Sequence, residues 1–322
     1  MRMSLMFEQS KPREKPRFEV RNDVAHAALE QSRLDDLPFV EAQEELELLF
    51  DKNQTGKRIS KEFEVPEFVQ MVVQADLPEG ITVDFCKSLV TQMCIQKRAS
   101  VSTMVGMLYH HFDTGQGIQL AMQTCADALE KCVEANLVDF DFRSEELVVR
   151  LEMTAETQRD LDRFQYPLPM VTQPKRIVHN RQNGYLNDAT SRSLVVLRAG
   201  RQKDFYENAD VCIDHLNKMN SIPLALNLQV VSLIDNEWSN LDRRKPKETE
   251  AEYEARIKAF NRYDECSRDV IHAISQLRSR FWLTHKYDRR GRVYCQGYHV
   301  NYQGNPWNKA VIEFANKELV EP

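Results

Sequence analysis

Long stretches of helical periodicity are the feature that most constrains this chain. Apolar residues recur three or four positions apart from Asp204 to Leu241 and again from Thr249 to Arg280, as on one face of a helix. Glycine, which weakens helices, is scarce at 10 of 322 residues. The pattern predicts a mostly α fold with small β elements, in the α+β class. Pro223 must kink or break the first long helix, and the charged segment 242–248 is the predicted turn of a long helical hairpin.

The N-terminal half shows shorter helical patterns of the same kind. They cover Glu41–Asp51, Pro66–Gln74, Asp84–Met93, Val101–Phe112 and Ile118–Ala135. Segment 138–153 alternates apolar and polar residues and contains the β-favouring run 147–149, which predicts a small hairpin. Thr154 is a predicted N-cap for a short helix that ends near Arg163.

A proline-rich segment separates the two halves. Residues 166–174 contain three prolines, which exclude a helix and restrict the residues before them to extended conformations. We therefore predict a polar tail at 1–20, a helical N-terminal domain at 21–170, a basic connector at 171–203, the helical hairpin at 204–280 and a last unit at 281–322.

Composition excludes several classes of protein. No run of 18 apolar residues exists, which excludes a transmembrane helix, and the N-terminus lacks the apolar core of a signal peptide. The seven cysteines are scattered and never spaced as a CxxC motif, which is typical of a reducing, cytoplasmic setting.

The charge is distributed unevenly, although the net charge is only −6. Segment 35–51 holds seven acidic residues and no basic one, whereas 172–203 holds seven basic residues against one acid and 278–292 six against one. An acidic front and a basic rear would let one surface bind phosphate while the rest keeps the protein soluble. Either basic cluster alone is more simply a solvated helix face.

The last 42 residues carry the most specific pattern, Tyr-Asp-Arg-Arg-Gly-Arg-Val-Tyr at 287–294. It predicts a tight turn at Gly291 followed by a strand. Arg290 and Arg292 lie two apart, so on a strand they would project from one face. Arginine makes forked contacts to phosphate, and Asp288 could hold one guanidinium in place.

These residues resemble the start of the palm in phage and mitochondrial-type single-subunit DNA-directed RNA polymerases. The pattern Asp-x-x-Gly-Arg with Val-Tyr is followed by Gln303-Gly304-Asn305 and Lys309. The segments 169–174 and 184–186 resemble the junction between the N-terminal domain and the thumb of that family. Segment 212–238 resembles the first thumb helix. The resemblance runs in order from about Gln123 to Pro322 and is weak over residues 1–110.

The resemblance implies a role for each matched position. Arg290 and Arg292 would contact the template strand or the RNA–DNA hybrid, and Asp288, Gly291 and Tyr294 would shape that loop. Thumb helices at 204–280 would hold backbone phosphates without reading bases. Basic residues that could add nucleic-acid contacts are Lys175, Arg176, Arg181 and Lys309.

The same resemblance implies that a second chain is needed. Members of the family hold catalytic Mg²⁺ with two palm aspartates that lie well after the Asp-x-x-Gly-Arg strand, and here Asp288 is the last aspartate. We therefore expect no catalytic residue and no metal ligand in these 322 residues. The expected assembly is a split, heterodimeric phage polymerase in the cytoplasm of the host cell. The partner chain would carry the remaining palm and fingers and dock on the apolar segment 310–315. The assembly would bind a DNA template and an RNA product, and no membrane is expected.

Other interpretations remain open from the sequence. A fragment of a related DNA polymerase would share the thumb and palm, but that family typically has threonine where this chain has Asp288. A non-catalytic nucleic-acid-binding transcription factor, or an all-α interaction protein, would account for less of the 287–294 pattern. We also hypothesise that promoter opening requires a further factor, because the N-terminal 110 residues match so weakly.

Overall fold

The computed structural model describes residues 35–180, 182–187, 195–196, 211–288 and 290–317. Helices predominate there, and the strands form three small three-stranded sheets, so the predicted fold class is confirmed. The predicted polar tail lies outside the described residues, as does most of the second half of the basic connector. No helix in these ranges is long and apolar enough to cross a membrane.

The described residues of the first part of the chain contain seven short α-helices. They are α1 Val40–Phe50, α2 Lys52–Glu62, α3 Pro66–Gln74, α4 Val83–Gln96, α5 Val101–Leu108, α6 Ile118–Glu134 and α7 Ala155–Phe164. Periodicity predicted five of them, the Thr154 cap predicted α7, and only α2 was not predicted. That helix has little apolar periodicity and begins where the Asp51 side chain accepts a hydrogen bond from the Gln54 amide at 2.9 Å. Thr154 caps α7 as predicted, by accepting from the Thr157 amide.

A hairpin closes the core of this part. Strands β2 Asp139–Asp141 and β3 Glu146–Val148 form the predicted hairpin, and β1 Arg98–Ser100 pairs with the other edge of β3. The apolar stripe of α6 is buried beneath it with residues of α4 and α5. Isolated helices of this length would be marginally stable in water. Here they are stabilised by packing into one shared core.

The second part combines short strands with one long helix. Its elements are β4 Val195–Val196, α8 Ile213–Asn220, β5 Leu224–Leu226, α9 Leu228–Leu233, α10 Glu250–Leu277, β6 Arg280–Phe281, β7 His285–Asp288, β8 Val293–Cys295, α11 Pro306–Val311 and β9 Ile312–Phe314. The sheet orders are β4-β7-β8 and β6-β5-β9. Helix α10 confirms the second predicted long helix.

The first predicted long helix, Asp204 to Leu241, is wrong. In the described residues from 211 onward this stretch contains only α8, β5 and α9, and the chain from 234 to 249 is irregular. Pro223 has no N–H to donate, so the helix ends before it. Leu224–Leu226 then forms the central strand between β6 and β9. In the described part of the predicted helical hairpin, residues 211–280, the structure is therefore one long helix preceded by short elements.

The second core forms around the buried rings of Tyr185, Phe281 and Trp282. Leu46 and Phe50 of α1 are also buried in it, with Phe50 packed edge-on against Tyr185 at a ring-centroid distance of 5.4 Å. Residues that precede the predicted boundary at 170 thus help to form the core of the part that follows it. The division of the chain into domains stays a prediction.

Candidate nucleic-acid interface

The 287–294 pattern folds as a tight β-hairpin. Strands β7 and β8 pair antiparallel, with Lys286 opposite Tyr294. The turn between them is closed by the Gly291 amide, which donates to the Asp288 carbonyl at 3.0 Å. Gly291 has φ +77°, a conformation that suits glycine and strains other residues. The predicted turn and strand are confirmed.

Asp288 organises the tip of this hairpin. Its Oδ1 accepts from the Arg290 amide at 2.8 Å and the Arg292 amide at 2.9 Å. Its Oδ2 accepts from Arg292 Nε at 2.6 Å, and a second guanidinium nitrogen lies at 2.5 Å. Partial burial disfavours the charged carboxylate, but the hydrogen bonds from Arg292 and Arg290 outweigh it and lower the pKa of Asp288 to about 2. The carboxylate therefore stays ionised and fixes the loop.

The two arginines differ in their surroundings. Arg292 is held by Asp288, and its guanidinium carbon lies 5.4 Å from the centre of the Tyr294 ring. Arg290 is exposed, and among the described residues its guanidinium has no hydrogen-bond or ion-pair partner. Asp288 holds one guanidinium as predicted, but the two arginines do not lie on a strand, so the shared face expected for a strand does not apply to them. Both precede β8, because the turn at Gly291 takes up this part of the sequence.

One face of the hairpin also carries a lysine that the sequence analysis missed. Lys286 and Asp288 lie two apart on β7 and share a face, opposite the inward His285 and Tyr287. Burial, together with a smaller effect of Lys52 at the start of α2, lowers the pKa of Lys286 to about 8. The sequence signal for Lys286 was the alternation of inward and outward side chains along β7. That signal can be used only once the strand is known. This face therefore brings together Lys286, Asp288, Arg292 and Tyr294.

The Gln303-Gly304-Asn305 motif supports the hairpin from its outer side. Gln303 Oε1 accepts from the Cys295 amide at 2.8 Å, and its Nε2 donates to the Val293 carbonyl at 3.0 Å. A Cβ on Gly304 would lie 2.8 Å from Asn308 Oδ1, so only glycine fits without a shift. The motif thus braces β8 with a side chain in place of another strand.

Lys309 lies on the helix that follows this motif. Asn305 caps α11 by accepting from the Asn308 amide at 2.8 Å. Asn308 is buried and holds the helix down by donating to the His299 carbonyl at 2.9 Å and accepting from the Tyr263 hydroxyl at 2.9 Å. Lys309 is the next residue and is exposed. Among the described residues its ammonium has no ion-pair partner, and the 303–308 segment joins it to the hairpin.

The basic residues near 175 are connected to the hairpin through a small apolar cluster. Ile177, Leu216 and Tyr287 pack together, and the Ile177 amide donates to Asn217 Oδ1 at 2.8 Å. The Lys175 ammonium donates a hydrogen bond to the Leu186 carbonyl. Arg176 is exposed. Arg181 lies outside the described residues. The structure therefore anchors Lys175 and Arg176 behind the hairpin strand, not at its tip.

Asp288 does not fit as a magnesium ligand. Both its oxygens accept hydrogen bonds from Arg290 and Arg292, and a cation there would face a guanidinium. Within the ranges that the structure describes, no group of three or more His, Cys, Asp or Glu side chains is placed to hold a metal ion.

Fold and site together define a mostly helical protein with an arginine-bearing β-hairpin. The chain is similar to a probable DNA-directed RNA polymerase from Agaricus bitorquis, with 26% identity over 170 residues. The matched stretch is 48% of this chain and 15% of that polymerase, so the chain spans a small part of that relative's length. No family model matches the sequence. The similarity supports a distant relationship to RNA polymerases.

Proposed function

We propose that this chain is the part of a DNA-directed RNA polymerase that holds the template strand or the RNA–DNA hybrid beside the catalytic centre. The observation that carries the proposal is the hairpin tip, where Asp288 fixes Arg292 and the exposed Arg290 guanidinium has no partner among the described residues. It occurs within the sequence pattern that resembles the start of the polymerase palm. The partial similarity to a probable RNA polymerase supports the same class.

The hairpin would bind the sugar–phosphate backbone. Arg290 offers a free planar fork of donors, which suits a phosphate oxygen pair. Two guanidinium nitrogens of Arg292 contact Asp288, but the side chain is still 53% exposed. Its remaining N–H groups can donate hydrogen bonds to a phosphate. Because Asp288 orders the loop before binding, less conformational entropy is lost on contact. Such contacts position a nucleic acid without reading its sequence.

The proposal assigns catalysis to residues outside this chain. Two-metal chemistry with Mg²⁺ would be supplied by carboxylates on a second polymerase chain that carries the remaining palm and fingers. The assembly would be a heterodimer of bacteriophage type in the host cytoplasm, acting on a DNA template and an RNA product. A promoter-opening factor is a further proposed partner.

The direct test is salt-dependent binding of an RNA–DNA hybrid by the chain and by Arg290→Ala. If Arg290 neutralises one phosphate, the variant binds more weakly and the slope of log affinity against log salt falls by about 1. The measurement is fluorescence anisotropy of a labelled hybrid at several salt concentrations.

Arg143→Ala is the matched control for this test. Arg143 is also exposed beside a hairpin carboxylate, since its amide donates to Asp141 Oδ1 at 3.0 Å. That hairpin is outside the proposed interface, so the slope should not change. Equal slopes for the two variants, or no salt-sensitive binding by the unmodified chain, would remove the proposed role of the tip.

A further inference from the structure

Strand β9 is the edge of its sheet, and its register fixes which backbone groups face outward. The Asn227 amide donates to the Val311 carbonyl at 2.8 Å, and the Ala315 amide donates to the Pro223 carbonyl at 3.1 Å. Hydrogen-bonded pairs alternate along an antiparallel ladder. Glu313, midway between Val311 and Ala315, therefore also bonds toward β5.

The N–H and C=O groups of Ile312 and Phe314 consequently point away from β5. Sheet β6-β5-β9 has no strand beyond β9 among the described residues, and no described backbone group bonds those outward groups. They lie two residues apart, which is the spacing at which an added strand would pair. An open edge of this kind is one that proteins usually cover or block.

The side chains beside this edge are apolar and partly open. Ile312 and Phe314 share one face of β9, and Phe314 is 65% exposed. Both line a cavity of about 270 Å³. The other apolar side chains lining it are Met219, Ile222, Leu224 and Leu283. The cavity is large enough to take one or two apolar side chains from outside.

The polar groups in this cavity already have partners. His285 Nδ1 lies 2.8 Å from Asn220 Oδ1, and its Nε2 lies 2.7 Å from the Tyr302 hydroxyl. Burial lowers the pKa of His285 to about 4, so the ring is neutral near pH 7. Glu313 is paired with Lys317 at 2.9 Å. Because these polar groups are already paired and most of the lining is apolar, the cavity favours an apolar side chain.

We propose that an extended segment of the second polymerase chain adds to the outer edge of β9 and inserts apolar side chains into the cavity. The inference rests on the proposed function for the identity of that chain. Main-chain hydrogen bonds to Ile312 and Phe314 give affinity, and the cavity selects apolar residues two apart in the added strand. The interface also covers the exposed Phe314.

Charge at the edge disfavours a second copy of this chain as the occupant. An antiparallel pair of two β9 strands that uses both outward residues places Glu313 directly opposite Glu313 of the other copy. Like charges directly opposite one another destabilise a strand pair. The segment that fits has an uncharged or basic residue between its two apolar ones.

Phe314→Pro tests the proposal, with Phe314→Ala as its matched control. Both variants lose the aromatic ring, but only the proline variant loses the outward N–H. Proline restricts the residue before it to an extended backbone, and Glu313 is already extended in β9. Association is measured by titrating the chain with the co-expressed chain that restores ribonucleotide incorporation. Proline should weaken association about tenfold more than alanine, since it removes a backbone hydrogen bond and blocks the added strand. Equal affinities for the two variants would overturn the proposal.

Photocrosslinking provides a measurement that does not depend on how the proline variant folds. Benzoylphenylalanine at position 314 should crosslink to an extended segment of the second polymerase chain, whereas the same group at the exposed Phe142 should not. Crosslinks to another copy of this chain, or equal yields at the two positions, overturn the edge proposal. If ribonucleotide incorporation is still restored in that case, the proposed function stands; if no chain restores it, the proposed function fails separately.

Discussion

At the residue scale, one carboxylate determines the shape of the candidate interface. Asp288 accepts four contacts from two residues, so the backbone of Arg290 and Arg292 is held in place without a ligand. The sequence predicted that Asp288 could hold a guanidinium, because an aspartate close to arginines can form a charge-assisted hydrogen bond with them. It did not predict which arginine would be held, since that depends on the φ of Gly291 and the path of the turn.

The pKa of Asp288 gives a prediction about acidification. The folded pKa, about 2, lies below the ordinary value of 3.8. The charged carboxylate therefore stabilises the hairpin above pH 4, and that stabilisation is lost as the pH falls from about 4 to about 2. Carboxyl carbon NMR of Asp288 should titrate with a midpoint near 2. Arg292→Ala should move the midpoint upward; a midpoint near 4 in the unmodified chain would contradict the geometry.

At the scale of elements, local patterns predicted helices better than strands. Helix α3 Pro66–Gln74 has the predicted bounds, because its apolar spacing and leading proline are local signals. Strand β5 was missed because its partners β6 and β9 are distant in sequence. The apolar residues around Pro223 fit a helical stripe equally well, and only the sheet decides between the two.

The start of the long helix α10 depends on a capping box. The Thr249 hydroxyl accepts from the Glu252 amide at 3.3 Å, and the Glu252 carboxylate accepts from the Thr249 amide at 2.8 Å. Thr249→Ala should lower the free energy of unfolding by about 1 kcal/mol, because it leaves orphan amides at the helix start. Urea unfolding followed by circular dichroism measures this.

The control is Gln276→Ala, on the exposed side of the same helix. A surface substitution of this kind changes the free energy of unfolding by less than about 0.5 kcal/mol. If Thr249→Ala and Gln276→Ala unfold at the same urea concentration, the capping box does not contribute to stability.

At the scale of the whole molecule, the acidic segment 35–51 has a structural role that its charge pattern did not indicate. Asp36 and Glu47 are buried rather than solvated. Glu47 accepts from the Leu186 and Asn187 amides at 2.8 and 2.7 Å. Burial raises the pKa of Glu47, and these hydrogen bonds offset part of that rise. The predicted acidic front therefore partly serves to join α1 to the second core.

Arg278 makes the corresponding connection at the end of α10. Its guanidinium lies 2.5 Å from Asp36 Oδ1 and donates to the Val171 carbonyl at 2.8 Å, and both charged side chains are less than 10% exposed. Arg278→Met would leave the Asp36 carboxylate buried without its cation. The free energy of unfolding should fall by about 3 kcal/mol.

Arg280→Met is the control for Arg278, since Arg280 is exposed two residues further on. Thermal and urea unfolding of both variants should be compared. A loss for Arg278→Met no larger than that for Arg280→Met would show that the buried pair does not hold the two parts together.

The central claim, that this chain contributes the Asp288–Tyr294 hairpin to an RNA polymerase, is tested most directly by RNA-primer extension on an RNA–DNA scaffold. The chain is assayed alone and together with each candidate partner chain, as the unmodified protein and as Arg290→Ala/Arg292→Ala. We predict no incorporation alone, incorporation with one partner, and a sharp loss in the double variant although it still associates with that partner. Undiminished incorporation by the double variant, or none with any partner, would contradict the claim.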